Sequence, residues 1–537
     1  MKNVTINLCL LLFASPIIYL VIVALTGQSP YFHSLIHNHL LDEYLLGSLR
    51  IGFFTSLFCL IIGVGMAWLV SFQQFPMRRL FEWLLIMPLA TPSYIAAMLY
   101  AHLLESAGVV QTAIRTYFNL DYGQYYFPNI RSESGVIFIL TFTLYPYVYM
   151  LMRTAFLMQS VHVLESATML GCTRFALFWR IAFPLARPAA IAGVALVMME
   201  SLADFGVSSL YGVTTLNTGI YRAWQSMMDG TAAARLALML VIIAIALLWL
   251  ERRQRGLALF INYNALYHPI KRFDARRIWQ LIFCISCAIP VLIGFIIPVL
   301  LLCVWSVGNF MQAFNQYNFA AAKYSVQIAL MVAFVTAMIG GLTAFIVSNQ
   351  NNKGSENIVA VATRFIVTIA TGAYGFSGNI IAISVLLIII MLQNNILPNI
   401  ALTASLFGVI WGCSLRFLTI SHQTIHSGME RISDELSDVS TMLGCNKWQT
   451  LLKVKLPLLK GSIIVALLLV FVDTLKELPA TIMLRPFNVT TLSIRIYELA
   501  KDEMLSIAAP LALLLLLISS IAVIYVNRQL LTSRPSC

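Results

Sequence analysis

The chain has 537 residues, of which 60% are hydrophobic and only 10% charged, with a formal net charge of +12. A soluble protein carries about a quarter charged residues, so this chain cannot cover its own apolar surface and must use lipid as solvent. With the N-terminus placed in the cytoplasm, most of the 34 Lys and Arg residues fall on that side. The excess charge is thus a positive-inside topology signal, and nucleic acid is not implied.

Apolar runs of about 20 residues, the length that crosses a bilayer, lie near 9–26, 45–72, 80–103, 135–158, 187–210 and 233–250. Lys2 ahead of the first run also suits a signal peptide. No small-residue cleavage site closes that run, and it is read as a span. The first outer loop carries His33, His37 and His39, read as solvated groups ahead of metal ligands. Tyr145, Tyr147 and Tyr149 in the fourth run alternate around a helix and read as packing residues. Between the fourth and fifth runs, segment 161–187 alternates polar and apolar residues with helical spacing and is broken by Gly171. A glycine adopts the left-handed backbone of such a turn without a Cβ penalty. The fifth run contains Glu200 and Asp204. Their i, i+4 spacing predicts two carboxylates on one helix face, and ionisable groups inside a span are costly and usually functional.

A basic linker, 252–277, carries Arg252, Arg253, Arg255, Lys271, Arg272, Arg276 and Arg277. A second series of apolar runs follows near 278–306, 324–348, 359–393, 399–421, 461–482 and 507–527. The total is about twelve spans. Run 359–393 is too long for one simple helix and holds Gly372, Gly375 and Gly378, which predicts a bent or re-entrant segment. Most of the nine cysteines lie inside spans, and the Cys284/Cys287 pair reads as small apolar residues.

The second series repeats the first. Glu165-Ser-Ala-Thr-Met-Leu-Gly171-Cys172 returns as Asp438-Val-Ser-Thr-Met-Leu-Gly444-Cys445, and each glycine is followed thirteen residues on by a proline, Pro184 or Pro457. Further along, Glu200 matches Asp473 and Asp204 matches Glu477. After a three-residue insertion, Thr214-Thr215-Leu216 matches Thr490-Thr491-Leu492. The chain is therefore divided into halves, 1–260 and 261–537, each with six spans. An even number makes the halves enter the membrane in the same sense, with a pathway expected between them. Four carboxylates, Glu200, Asp204, Asp473 and Glu477, would then converge on that pathway and suit a hard, highly charged cation. The plainer alternative is structural, with Asp473 or Glu477 paired to Lys476 or Arg485.

The repeated loop, acidic-small-small, three residues, Gly, then Pro, resembles the EAA loop of ATP-binding-cassette importer permeases. The resemblance implies an all-α membrane fold of type I with two homologous six-helix halves. It also implies loops 161–187 and 434–460 docking on a cytoplasmic ABC ATPase dimer through Glu165, Ala167 and Gly171, and through Asp438, Ser440 and Gly444. The second copy, Asp-Val-Ser, departs from the pattern at its start. LYPYVYMLMRTAF (144–156), SLADFG (201–206) and KELPATIMLRPF (476–487) are similar to the fused ferric-iron permeases of this superfamily. That likeness implies transient Fe³⁺ passage along Glu200, Asp204, Asp473 and Glu477, and delivery by a periplasmic ferric-binding protein. It also implies a multi-pass bacterial inner-membrane protein with both termini cytoplasmic. Thiamine, polyamine and phosphonate permeases share much of these segments. No G-x-x-x-x-G-K-[ST] phosphate cradle occurs in the sequence, so ATP is expected on the partner and no cofactor on this chain. The rival classes are an ion-gradient-driven secondary transporter, against which the paired loops argue, and a membrane-embedded enzyme, for which no nucleophile–base pair is present.

Overall fold

The computed structural model describes residues 2–256, 272–313, 315–351, 375–396, 398, 401–430, 432, 436, 439, 440, 442–444 and 446–532. Most of the basic linker, residues 359–374 of the long run, and Asp438 fall outside them. Twelve principal helices are numbered here. The first six are α1 Lys2–Thr26, α2 Leu40–Phe72, α3 Ser93–Leu104, α4 Glu133–Leu157, α5 Arg174–Ala203 and α6 Gly230–Gly256. The second six are α7 Arg277–Ser306, α8 Gln316–Asn351, α9 Gly378–Asn395, α10 Leu406–Glu430, α11 Lys460–Lys476 and α12 Leu505–Thr532. Among the described residues, 9 helices are long and apolar enough to cross a membrane, and up to 11 when each of two bent pairs counts as one span. Helix α10 makes the twelfth; it is long enough but carries Arg416, His422 and His426.

The repeat read in the sequence is a repeat of structure. The 273-residue offset from Gly171 to Gly444 carries both ends of α4 onto both ends of α10, and the last residue of α5, Ala203, onto the last of α11, Lys476. The same offset carries a widened π turn, Phe178–Ala182, onto a second one, Leu451–Lys455. A third lies in α7 at Leu292–Ile296. Each is followed by one residue and then a proline: Phe183-Pro184, Leu456-Pro457 and Ile297-Pro298. A proline inside a helix has no N–H to give and clashes with the carbonyl four residues back. Shifting the preceding bonds to a five-residue reach opens the turn and accommodates the ring, as in Phe183 N–H to Phe178 O.

The helix ends depart from the sequence reading where polar contacts outrank hydropathy. The fifth run stops at Ala203, and its counterpart stops at Lys476, because Asp204 and Glu477 have extended backbone. Run 399–421 is instead a helix over 406–430: its polar end stays wound because His422 Nδ1 meets Thr343 Oγ1 of α8 at 2.8 Å. The end of the long run that is described is regular helix, α9, with Ser377 capping its first turn by accepting from Ile380 N–H.

The two sets of helices interlock. Helix α1 lies against α9 of the other half as well as α6, while α7 reaches α2 and α4. A short parallel strand pair, β1 (Gln73–Gln74) with β2 (Phe273–Asp274), pins the end of the linker beneath α2. At the centre of the first half, Val148 of α4 is held between two glycines. A Cβ on Gly63 of α2 would stand 2.7 Å from Val148 Cβ, and one on Gly193 of α5 would stand 3.2 Å from Val148 Cα. Close helix approach through small residues is the main packing device available in lipid. Gly63→Val should therefore overpack this crossing and cost about 2 kcal/mol. Thermal unfolding of the detergent-solubilised protein reads this as a lowered midpoint, and an unchanged midpoint would contradict the packing described.

Candidate substrate cavity and docking helices

A cavity of about 210 Å³ lies between the halves and is lined by all four carboxylates singled out in the sequence. Its first-half wall includes Ser93, Thr143, Tyr147, Glu200, Ala203 and Asp204, and its second-half wall Arg416, Phe417, Asp473, Lys476 and Glu477. The expectation that each acidic pair shares one helix face is corrected by the breaks at 204 and 477. Glu200 and Asp473 lie on the last turns of α5 and α11, whereas Asp204 and Glu477 sit past the helix ends.

The second acid of each pair performs a local task that the break itself creates. Asp204 accepts from the N–H and hydroxyl of Ser208, both at 3.1 Å, from Val207 N–H at 3.5 Å and from Ser93 Oγ at 3.3 Å. Its carboxylate thus meets the first turns of Gly206–Leu210 and of α3. Glu477 accepts from Ala480 N–H at 3.0 Å, at the start of Pro479–Leu484, and from Arg416 Nη1 at 2.5 Å. It also abuts the start of α9: a Cβ on Gly378 would collide with Glu477 Oε1 and Arg416 Nη1. Helix N-termini carry unsatisfied N–H groups and partial positive charge, so each carboxylate stabilises the interrupted backbone around it. Of the pairings anticipated for the second half, Lys476 keeps Asp473 as its charged neighbour, while Glu477 and Arg485 turn elsewhere. Glu477 pairs with Arg416, Arg485 pairs with Glu498 at 2.8 Å, and Lys476 donates to Leu89 O at 3.2 Å. Arg416 was overlooked in the sequence, where its signal was a lone arginine within an apolar run.

The four acids line one space but do not form a chelate. Among the described residues, no group of three or more His, Cys, Asp or Glu side chains is placed to hold a metal ion. His33 and His37 are both exposed on a short helix, Pro30–His37, and His39 meets Asp42 at 3.3 Å. Cys284 and Cys287 are free thiols. Tyr145 and Tyr149 are fully buried packing residues, while Tyr147 lines the cavity.

Where both copies are described, the repeated loops agree. Residues Val161–Met169 are helical and end in a turn where Cys172 N–H bonds Ala167 O and Gly171 N–H bonds Thr168 O, a Schellman closure. Gly171 and Gly444 have the same φ, +82°. Two apolar side chains stand outward in each copy: Met169 and Leu170 are 88% and 85% exposed, Met442 and Leu443 87% and 79%. Glu165 is exposed, but Ala167 and Ser440 are buried against their own chain, Ser440 Oγ lying 2.6 Å from Thr450 Oγ1. In that inward position the two small residues brace the loop. Asp438 lies outside the described residues. The first loop is fixed to the bundle by Leu164, Ala167 and Leu177, which join a core with Trp68, Phe72, Phe156 and Phe178. Trp68 packs edge-on against Phe178, with ring centres 5.0 Å apart.

The chain matches the family described as binding-protein-dependent transport system inner membrane component twice, over residues 59–256 and 358–531. Among its curated relatives is the Fe(3+)-transport system permease protein FbpB 2 of Haemophilus influenzae, 23% identical over 87% of this chain and 86% of the relative. A putative 2-aminoethylphosphonate transport system permease protein, PhnU, of Salmonella choleraesuis is 26% identical over 45% of this chain and 86% of the relative. The spermidine/putrescine permease protein PotB of Escherichia coli is 31% identical over 33% of this chain and 64% of the relative.

The division between capping and cavity-facing acids can be measured. Glu477→Ala removes the carboxylate paired with Arg416 in a site where the two side chains are 13% and 5% exposed, a loss of roughly 3–5 kcal/mol. That variant should fail to give a stable purified protein, whereas Asp473→Asn should purify normally. Equal yields and unfolding midpoints for the two would contradict the assignment.

Proposed function

The chain belongs to the binding-protein-dependent transport inner-membrane component family, and from that premise we propose that it is the permease of an ATP-driven importer of ferric iron. The observation that carries the iron reading is the cavity between the halves with a carboxylate at each of four related positions. Hard cations prefer oxygen ligands, and carboxylates exposed to a dehydrated path would repel an unaccompanied anion. The similarity to a named Fe(3+) permease extends across 87% of the chain, whereas the phosphonate and polyamine relatives match less than half of it.

In this reading Glu200 and Asp473 meet the cargo, and Asp204 and Glu477 shape the cavity. A soluble ABC ATPase dimer supplies the energy at the cytoplasmic face, and a periplasmic ferric-binding protein supplies the ion. The positive-inside pattern places loops 161–187 and 434–460 in the cytoplasm. There the Met169–Leu170 and Met442–Leu443 tips are largely exposed apolar knobs, the form expected of a residue awaiting a hydrophobic groove. ATP can bias the bundle only if the ATPase holds these loops differently in its two states. The loops move with α5 and α11, whose far ends carry Glu200 and Asp473, so closure at one end is delivered to the cavity at the other.

Two experiments test this. In vesicles holding permease, ATPase and binding protein, Glu200→Gln with Asp473→Asn should lower ferric uptake at least about tenfold, a change in barrier of roughly 1.4 kcal/mol. ATP hydrolysis should persist in that variant. Uptake at the parental rate would remove these carboxylates from the path. Separately, Leu170→Glu with Leu443→Glu changes only exposed positions. It should leave the permease folded yet stop it co-purifying with the ATPase. Retained association would contradict the docking reading.

A further inference from the structure

A second cavity, of about 440 Å³, lies beyond the first along the same elements. Its walls include His102, Glu105, Arg131 and Ser209 of the first half and Lys501 and Glu503 of the second. No described residue lines both spaces. Helix α4 starts at Glu133 and runs toward loop 161–187, so Arg131 lies at the end of α4 opposite that loop. With the loop in the cytoplasm, as proposed above, the second cavity is a vestibule on the outer face.

About one helical turn separates the two spaces. On α3, Tyr94 lines the inner cavity and Met98 the vestibule; past the end of α5, Gly206 lines the inner cavity and Ser209 the vestibule. The material between is apolar and comes from both halves: Tyr94, Met98 and Phe205 share one buried core with Leu478 and Tyr497. Phe205 stands at its centre. Its ring centre lies 4.8 Å from that of Tyr221 and 6.1 Å from that of Tyr497. Those two tyrosines are equivalent in the repeat once the three-residue insertion is counted. Tyr497 OH meets Ser209 Oγ across the halves at 2.7 Å. Further out, Arg131 pairs with Glu105 of its own half and, at 3.4 Å, with Glu503 of the other.

These contacts are suited to parting. The polar links described across the seal are a hydroxyl pair and an ion pair whose Glu503 side chain is 75% exposed, and an exposed pair holds weakly. Phe205 and Leu478 directly follow Asp204 and Glu477, the acids that close the ends of α5 and α11. A shift of either helix end therefore moves the seal itself. We propose, on the footing of the transport reading, that Phe205 and Tyr497 form the outer gate of the cavity, with Arg131–Glu503 as its latch. Joined, as in this structure, they hold the acid-lined space shut toward the vestibule. Parted, they let the ion pass from the vestibule to the acids.

The test separates the gate from the cargo. In right-side-out vesicles holding the complete importer without nucleotide, an impermeant thiol reagent is applied from outside. The chain carries a single cysteine, Ala203→Cys, on the inner cavity wall. Phe205→Ala with Tyr497→Ala should raise the labelling rate about tenfold. Leu511→Ala removes volume from the same core but lines neither space, and should leave the rate unchanged. An unchanged rate in the double variant, or an equal rise with Leu511→Ala, overturns the proposal. In a second arm, Ser209→Cys and Tyr497→Cys are joined by a short bifunctional thiol reagent that a reductant cleaves. The link should stop ⁵⁵Fe uptake and dithiothreitol should restore it, a recovery that a misfolded variant would not show. Parental uptake with the link in place overturns the gate and leaves the ferric reading standing. Absence of iron uptake in the parent protein overturns the ferric reading, while the labelling arm still decides the gate.

Discussion

A membrane helix that ends inside a protein leaves N–H groups that hydrocarbon cannot satisfy. Everything at the centre of this molecule follows from how two such ends are closed. Helices α5 and α11 stop at equivalent residues, and the carboxylates of Asp204 and Glu477 accept the N–H groups of the short helices that follow. The break, the acid that closes it and the space beside it form one unit, present once in each half. Because the units face each other, the cavity between them inherits acids from both sides.

In the proposed mechanism the same helices connect the cavity to the repeated loops. Helix α5 begins beside the loop capped at Gly171 and ends at the acid pair; α11 begins at Lys460, beyond the helical turns that follow Gly444, and ends at the second pair. A helix passes displacement along its axis only if its other contacts resist. In the first half that resistance comes from Val148 wedged between Gly63 and Gly193, and from Trp68 against Phe178. Open turns precede Pro184 and Pro457 along both paths. A 66° bend separates Leu451–Leu458 from Lys460–Lys476.

Much of this was legible in the sequence. Hydropathy located the spans, and the repeated Thr-Met-Leu-Gly-Cys gave the two halves, their register and the positive-φ glycines. The acids were found from their cost inside apolar runs. Their roles were not, because i, i+4 spacing assumes an unbroken helix, and no local residue announces that α5 stops at Ala203. The stop depends on Ser93, 111 positions away, and on the following turn. Arg416 was missed because its partner, Glu477, is 61 residues distant. Ala167 and Ser440 illustrate the converse limit: a motif shows that a position matters without showing whether it faces outward or braces the loop.

The central claim is that one acid-lined space between the halves is opened to alternate sides by force applied at the two loops. Its most direct test places a single cysteine at Ala203, on the cavity wall, in an otherwise cysteine-free chain within the assembled importer. Labelling with a membrane-impermeant thiol reagent is then followed from each side with and without ATP. The account predicts that the side from which residue 203 is modified changes with nucleotide. Modification from the same side in both states would contradict it.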